Sequence, residues 1–201
     1  MTSGDGVLTC AFCRTTLPES DEEILARLSK RVERNDPKAL TSLAMNYGDG
    51  LHGLAVDQAK CVELLRQSAG LGYPDAQYQL SAFYHVGEMG LEQNDEEGLK
   101  YTKKAAKGGQ LSSLHNLGAT EGGNGDRAAA MRHWRLSASG GLKVSMDSLI
   151  TCFEYGWLHH ADLAESLQAF YLARAELGSE DRDQYIAYLK RTGKYEEVFD
   201  M

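Results

Sequence analysis

Cys10 and Cys13 have two residues between them near the start of the chain, the spacing of metal-ligating or redox thiols. Three readings are open for them. As zinc ligands they supply two thiolates where a structural site takes four. As a redox centre the pair should open a helix beside a strand, and no strand pattern accompanies it. The third reading is a pair of plain thiols in an unstructured tail. Cys61 and Cys152 fall on apolar faces of separate expected helices, poor positions from which to complete a metal site. Zinc is therefore expected only if other ligands join Cys10 and Cys13.

The remaining reactive residues form no recognisable constellation. The six histidines make no His-Glu-x-x-His motif. Gly122-Gly123-Asn124-Gly125 lacks the lysine and the preceding strand of a phosphate loop and reads as a tight turn. Neither Gly-x-Ser-x-Gly nor a paired-carboxylate arrangement occurs. Enzyme activity is not expected. A hydrolase hosted on the scaffold would need a nucleophile and a base clustered on one face.

Net charge and composition narrow the classes further. The chain of 201 residues carries a formal charge of −8 at a pI near 5.3, which argues against a general nucleic-acid or anionic-membrane surface. Apolar residues make up 42%, enough for a core. No apolar run approaches a membrane span, and the N-terminus lacks the basic-then-apolar shape of a secretory signal. A cytoplasmic or nuclear protein with reduced thiols, and a monomer, is expected.

What positions these residues is a recurring block. Leu43, Leu80, Leu117 and Leu149 recur at spacings of 37, 37 and 32, and Gly72, Gly109, Gly141 and Gly178 close each block. A period in the thirties means stacked helix pairs, none able to bury its apolar face alone. A lead-in helix over 20–35 opens on the capping box Ser20/Glu23. The repeats then span 36–72, 73–109, 110–141 and 142–178. The first opens at Asp36-Pro37, an N-cap followed by proline at the first helical position. Gly48, Gly50 and Gly53 should break its first helix. In the last repeat Ser145, Leu149 and Phe153 match the first helix, and Leu167, Tyr171 and Ala175 the second. Residues 179–201 read as a capping helix and tail. The expected fold is all-α: a superhelical solenoid of about four helix-turn-helix repeats, capped at each end.

Ala39/Leu43/Tyr47, Ala76/Leu80/Tyr84 with Ala105-Ala106, and Leu117-Gly118 with Trp134 and Ala138 resemble the Sel-one-like repeat, a relative of the tetratricopeptide repeat. The resemblance covers about 36–178 and is weakest in the last block, where Ile150 replaces the glycine. It implies an adaptor or scaffold that binds a protein partner. Cys10-Ala-Phe-Cys13-Arg-Thr-Thr-Leu-Pro is also similar to the last cysteine pair of a RING-type zinc finger, with Ala11 in place of the usual proline. Residues 1–19 would then be a remnant of such a finger, because the other six ligands are absent. Either the chain is a piece of a longer protein or the finger has decayed.

In tetratricopeptide-like arrays the first helix of each pair lines a concave surface. That geometry nominates Lys38, Thr41 and Met45; Asp75, Tyr78 and His85; Ser112 and His115; and Asp147, Thr151, Glu154 and Tyr155 as groove residues that hold an extended segment or helix of a partner. The function expected is a protein-interaction scaffold. The alternatives are the substrate-binding part of a RING-type ubiquitin ligase, a small self-associating protein with an exposed apolar end, and, more remotely, a repeat-hosted hydrolase.

Overall fold

The computed structural model describes residues 20–176. Among them are nine α-helices and no strand: α1 (Asp21–Val32), α2 (Pro37–Asp49), α3 (Gln58–Gly70), α4 (Pro74–Val86), α5 (Asp95–Lys107), α6 (Leu111–Gly123), α7 (Arg127–Ser139), α8 (Lys143–Glu154) and α9 (His160–Glu176). The chain divides into two compact units at the Asp95/Glu96 boundary. The cysteine pair at 10 and 13 and the expected capping helix beyond Gly178 lie outside the described residues. No described helix is long and apolar enough to cross a membrane.

Local chemistry starts the helices where the residues call for it. The Ser20 hydroxyl accepts from the Glu23 amide, Asp36 from Lys38 and Ala39 ahead of Pro37, Asp57 from Lys60, and Asp126 from Ala129. Each side chain satisfies amides that the first helical turn leaves without a partner. Gly50 ends α2 in the left-handed region at φ 66°, where a side chain would also meet Val56.

In the first unit α1 packs on α2, α2 on α3, and α3 on α4. Leu40, Ala44, Cys61, Leu65, Ala76 and Leu80 are fully buried between them. In the second unit α6 packs on α7, α7 on α8, and α9 on both α7 and α8. Its main core gathers Ala138, Met146, Leu149, Cys152, Leu167 and Phe170. Each fully buried leucine contributes on the order of 1.5–3 kcal/mol, so the anchors at 80 and 149 rank among the strongest local determinants.

Several expectations need correction. Leu43 is only partly buried, and Leu40 and Ala44 fill the layer instead. Helix α1 has no buried residue of its own and leaves an open cavity of about 310 Å³ against α2. Gly48 does not break α2. It lies inside the helix, where an added Cβ would stand 3.2 Å from the Cys61 sulfur, so it is a close-approach position. Gly122 and Gly123 likewise belong to α6 rather than to a turn, and the chain reverses only at Asn124–Asp126. Phe153, expected at a packing position, lies at the surface.

A hydroxyl ladder ties the helix pairs together. Ser68 on α3 donates to the Pro37 carbonyl at 2.7 Å, and Ser137 on α7 donates to the Leu111 carbonyl at 2.9 Å. These serines occupy the same place in the first and third repeats. The Ser145 hydroxyl in turn donates to Ser137 at 2.7 Å. Ser113 stands where Ser145 stands one repeat later, yet its buried hydroxyl has no partner. The register accounts for the orphan: the residue matching Ser137 one repeat earlier is Ala105, which brings no hydroxyl.

Candidate interaction surface

The nominated groove residues divide between the two units. In the first, Lys38 on α2 and Asp75 on α4 are exposed, and Met45, Tyr78 and His85 are half-buried. His85 Nδ1 lies 3.0 Å from the Asp95 carboxylate. Thr41 does not face solvent as expected. Its hydroxyl lies 2.9 Å from the Pro37 carbonyl and 2.8 Å from the Ser68 hydroxyl, between α2 and α3; because Ser68 gives its proton to the Pro37 carbonyl, Thr41 has one proton to share between the two.

In the second unit Ser112 is half-buried on α6. His115 also turns inward. The Ser145 proton is committed to Ser137, so Ser145 accepts from His115, and His115 carries its proton on Nδ1 at 3.0 Å. A serine and a histidine at this distance resemble the first two members of a hydrolytic triad. Here the serine is fully buried and its proton points away from the histidine, so the pair is a structural strut. Trp134 adds to it, its indole N–H donating to the His115 carbonyl at 3.2 Å.

Burial holds the His115 pKa below its ordinary 6.5, because the imidazolium would lose solvent. The unfolded chain takes up this proton more readily, so the neutral ring's contribution to stability is present above pH 6.5. It is lost as pH falls from 6.5 through the folded-state value. His115→Asn keeps a donor toward Ser145 without the titration. Denaturant unfolding of both proteins between pH 7.5 and 5 is expected to show the wild type losing more stability than the variant. Parallel curves would mean that His115 is as well solvated folded as unfolded.

The exposed residues that remain converge on α8. Asp147, Thr151, Glu154 and Tyr155 form a solvent-facing stripe. Asp147 bonds the Lys143 ammonium at 2.9 Å, and Thr151 donates to the Asp147 carbonyl at 3.0 Å. Tyr155 caps the helix and is 67% exposed, and its ring stacks on Trp157, 43% exposed, at 5.1 Å between centroids. The Arg127 guanidinium, from the start of α7, lies 4.1 Å from the Trp157 ring centre. Trp157 and Arg127 escaped the sequence reading. Tyr155-Gly156-Trp157, two aromatics in a short polar connection, was the signal for the first. Arg127 carried none.

No group of three or more His, Cys, Asp or Glu among the described residues could hold a metal ion. Cys61 and Cys152 are buried, and desolvation pushes both thiols above the usual cysteine range, which makes them poor nucleophiles.

Three comparisons agree with this architecture. The Sel1 repeat model matches residues 37–73, 74–110 and 110–142. The chain is 29% identical over 80 residues to chitin synthase regulatory factor 2 of Schizosaccharomyces pombe, a match spanning 40% of this chain and 15% of that protein. Among solved structures it superposes on c5321, a protective antigen of uropathogenic Escherichia coli with an SLR fold, at a TM-score of 0.61 and 26% identity. That match covers 85% of this chain and 37% of the antigen. A Sel1 repeat protein from Oxalobacter formigenes gives 0.58 and 26%, covering 63% of this chain and 97% of its own. Successive packed helices, three matched repeats over more than half the length, and neighbours of the same fold lead to one conclusion: the chain belongs to the Sel1 repeat family.

Proposed function

We propose that this chain, like Sel1 repeat proteins generally, acts as a protein-interaction scaffold, and that a short segment of a partner protein docks on the exposed side of α8 and the turn after it. The observation that carries the reading is the Tyr155–Trp157 stack, held open at the surface beside the α8 stripe. Large aromatic area left in water is unfavourable unless something covers it, and rigid aromatics backed by an arginine are the usual anchors of protein interfaces.

Glu154 and Asp147 give the stripe a negative edge, although Asp147 is already shared with Lys143. The matching partner segment carries an apolar or aromatic residue to lie on Tyr155 and a basic residue within reach of Glu154. Selection from a displayed peptide library on the full chain tests this. Peptides pairing a basic residue with an apolar anchor should be enriched, and Glu154→Lys should abolish their enrichment. Enriched peptides with no such pattern, or equal enrichment on the variant, would move the binding site elsewhere.

A further inference from the structure

The first unit holds a polar cavity in which the α8 surface has no part. Helix α1 is pinned to its unit near both ends. His52 Nδ1 lies 2.6 Å from the Asp21 carboxylate, and the Arg31 guanidinium donates to the Asp36 carboxylate at 2.7 Å. Along α1 between these pairs runs the open cavity of about 310 Å³, with Ile24, Arg27, Leu28 and Arg31 on its α1 side.

Asn46 on α2 lines the other side. This residue departs from the repeat pattern. Leu80 is followed three positions on by Phe83, whose ring is buried, and Leu43 is followed at the same distance by Asn46. A primary amide, only 9% exposed, thus stands where the next repeat sets an aromatic ring. The amide has no hydrogen-bond partner among the described residues. A buried polar group left in that state costs stability. Departures of this kind from the logic of a fold are expected where a site is built.

The charge of the cavity has one sign. No carboxylate among the described residues lines it, whereas two guanidiniums and an imidazole do. Arg31 directs its Nε and Nη2 at a single Asp36 oxygen, and a guanidinium has five N–H donors. An amide and a guanidinium together match the two oxygens of a carboxylate. Ile24 and Leu28 offer an apolar wall to the body that carries it. The volume falls at the lower end of small-molecule sites.

We infer that the α1–α2 cavity binds a small organic carboxylate with a short branched apolar body. The Asn46 side-chain N–H donates to one carboxylate oxygen and Arg31 to the other, and the body lies against Ile24 and Leu28. The bound acid takes the place that Phe83 takes one repeat later, and so closes α1 onto α2. This inference does not rest on docking at α8, and its test leaves that surface untouched.

Isovalerate is the probe, and its neutral analogue isovaleramide is the control. NMR titration of the isotope-labelled full chain should move the Asn46 side-chain amide signals saturably with isovalerate, with a Kd on the order of 1 mM. Isovaleramide should bind at least about tenfold more weakly. Asn46→Leu restores an apolar side chain at the repeat position, so it should fold as stably as the wild type and lose binding, read on the α1 backbone amides. Asn46→Asp, nearly the same shape, should lose binding through charge. No saturable movement with isovalerate, equal affinity for isovaleramide, or unchanged binding in the variants would overturn the proposal and leave the cavity to water. The same chemistry closes a peptide that ends in leucine, and N-acetyl-Gly-Leu separates the two sources. A tenfold higher affinity for it than for isovalerate would overturn the free acid in favour of a chain terminus.

Discussion

Leu80→Asp is expected to abolish cooperative unfolding of the first unit. Leu80 is fully buried on α4, the helix that packs on α3. The substitution removes a packed side chain and places a carboxylate in a fully buried position. The carboxyl then either stays charged at a large desolvation cost or takes up a proton and remains without its hydrogen bonds. Together the two losses exceed about 4 kcal/mol, a large fraction of the stability of an ordinary domain. Leu80→Ala separates them, since it leaves a cavity without a charge and should cost about 2–5 kcal/mol. Calorimetric unfolding of the three proteins checks the ordering. An unchanged transition in Leu80→Asp would mean that α4 turns a different face to α3 and that the repeat register is wrong.

Gly118→Val should be nearly as damaging for the opposite reason. Gly118 lies where α6 crosses α7, and a Cβ there would stand 2.6 Å from the Trp134 indole nitrogen and 3.0 Å from the Ala130 carbonyl. The ring can swing aside, but the backbone carbonyl cannot. Moving the ring also breaks the Trp134 bond to the His115 carbonyl, on which the strut to Ser145 depends. Overpacking of this kind costs roughly 1–3 kcal/mol, and the lost hydrogen bond adds about 1 kcal/mol. The expected result is a clear drop in the unfolding midpoint with altered tryptophan fluorescence. Gly118→Ala should fall between the variant and the wild type. A valine protein as stable as the parent would mean that the two helices do not approach closely there.

The same glycine shows why the helices could be read from the residues. Leu117-Gly118 marks a leucine that fills a layer beside a glycine that lets the next helix in, and both roles are local in sequence. Caps at Ser20 and Asp36 were legible for the same reason. What local pattern misjudged were places decided by a neighbour far along the chain. Gly122 looked like a turn residue, yet it lies inside α6 beside Ala130 and Trp134 of α7, and the packing of the two helices outweighs its weak helix propensity. Leu43 looked like Leu80, but it is only partly buried, and Leu40 and Ala44 fill the layer instead. Thr41 and His115 sit at positions that ordinarily face solvent. They turn inward because hydroxyls 27 and 30 residues away receive them. On the proposed docking surface, Tyr155 was within reach of periodicity, whereas the Arg127 that backs Trp157 comes from another helix.

The central claim is that the aromatic turn after α8 is the place where a partner is held. The direct measurement is the affinity of a labelled peptide, selected on the wild-type chain, for the Tyr155→Ser/Trp157→Ser double variant, with melting curves showing that both proteins are folded. Interface aromatics of this kind contribute 2 kcal/mol or more when removed, so a loss of at least about 30-fold is expected. An unchanged affinity in a folded double variant would contradict the account and leave the exposed stack without a binding role.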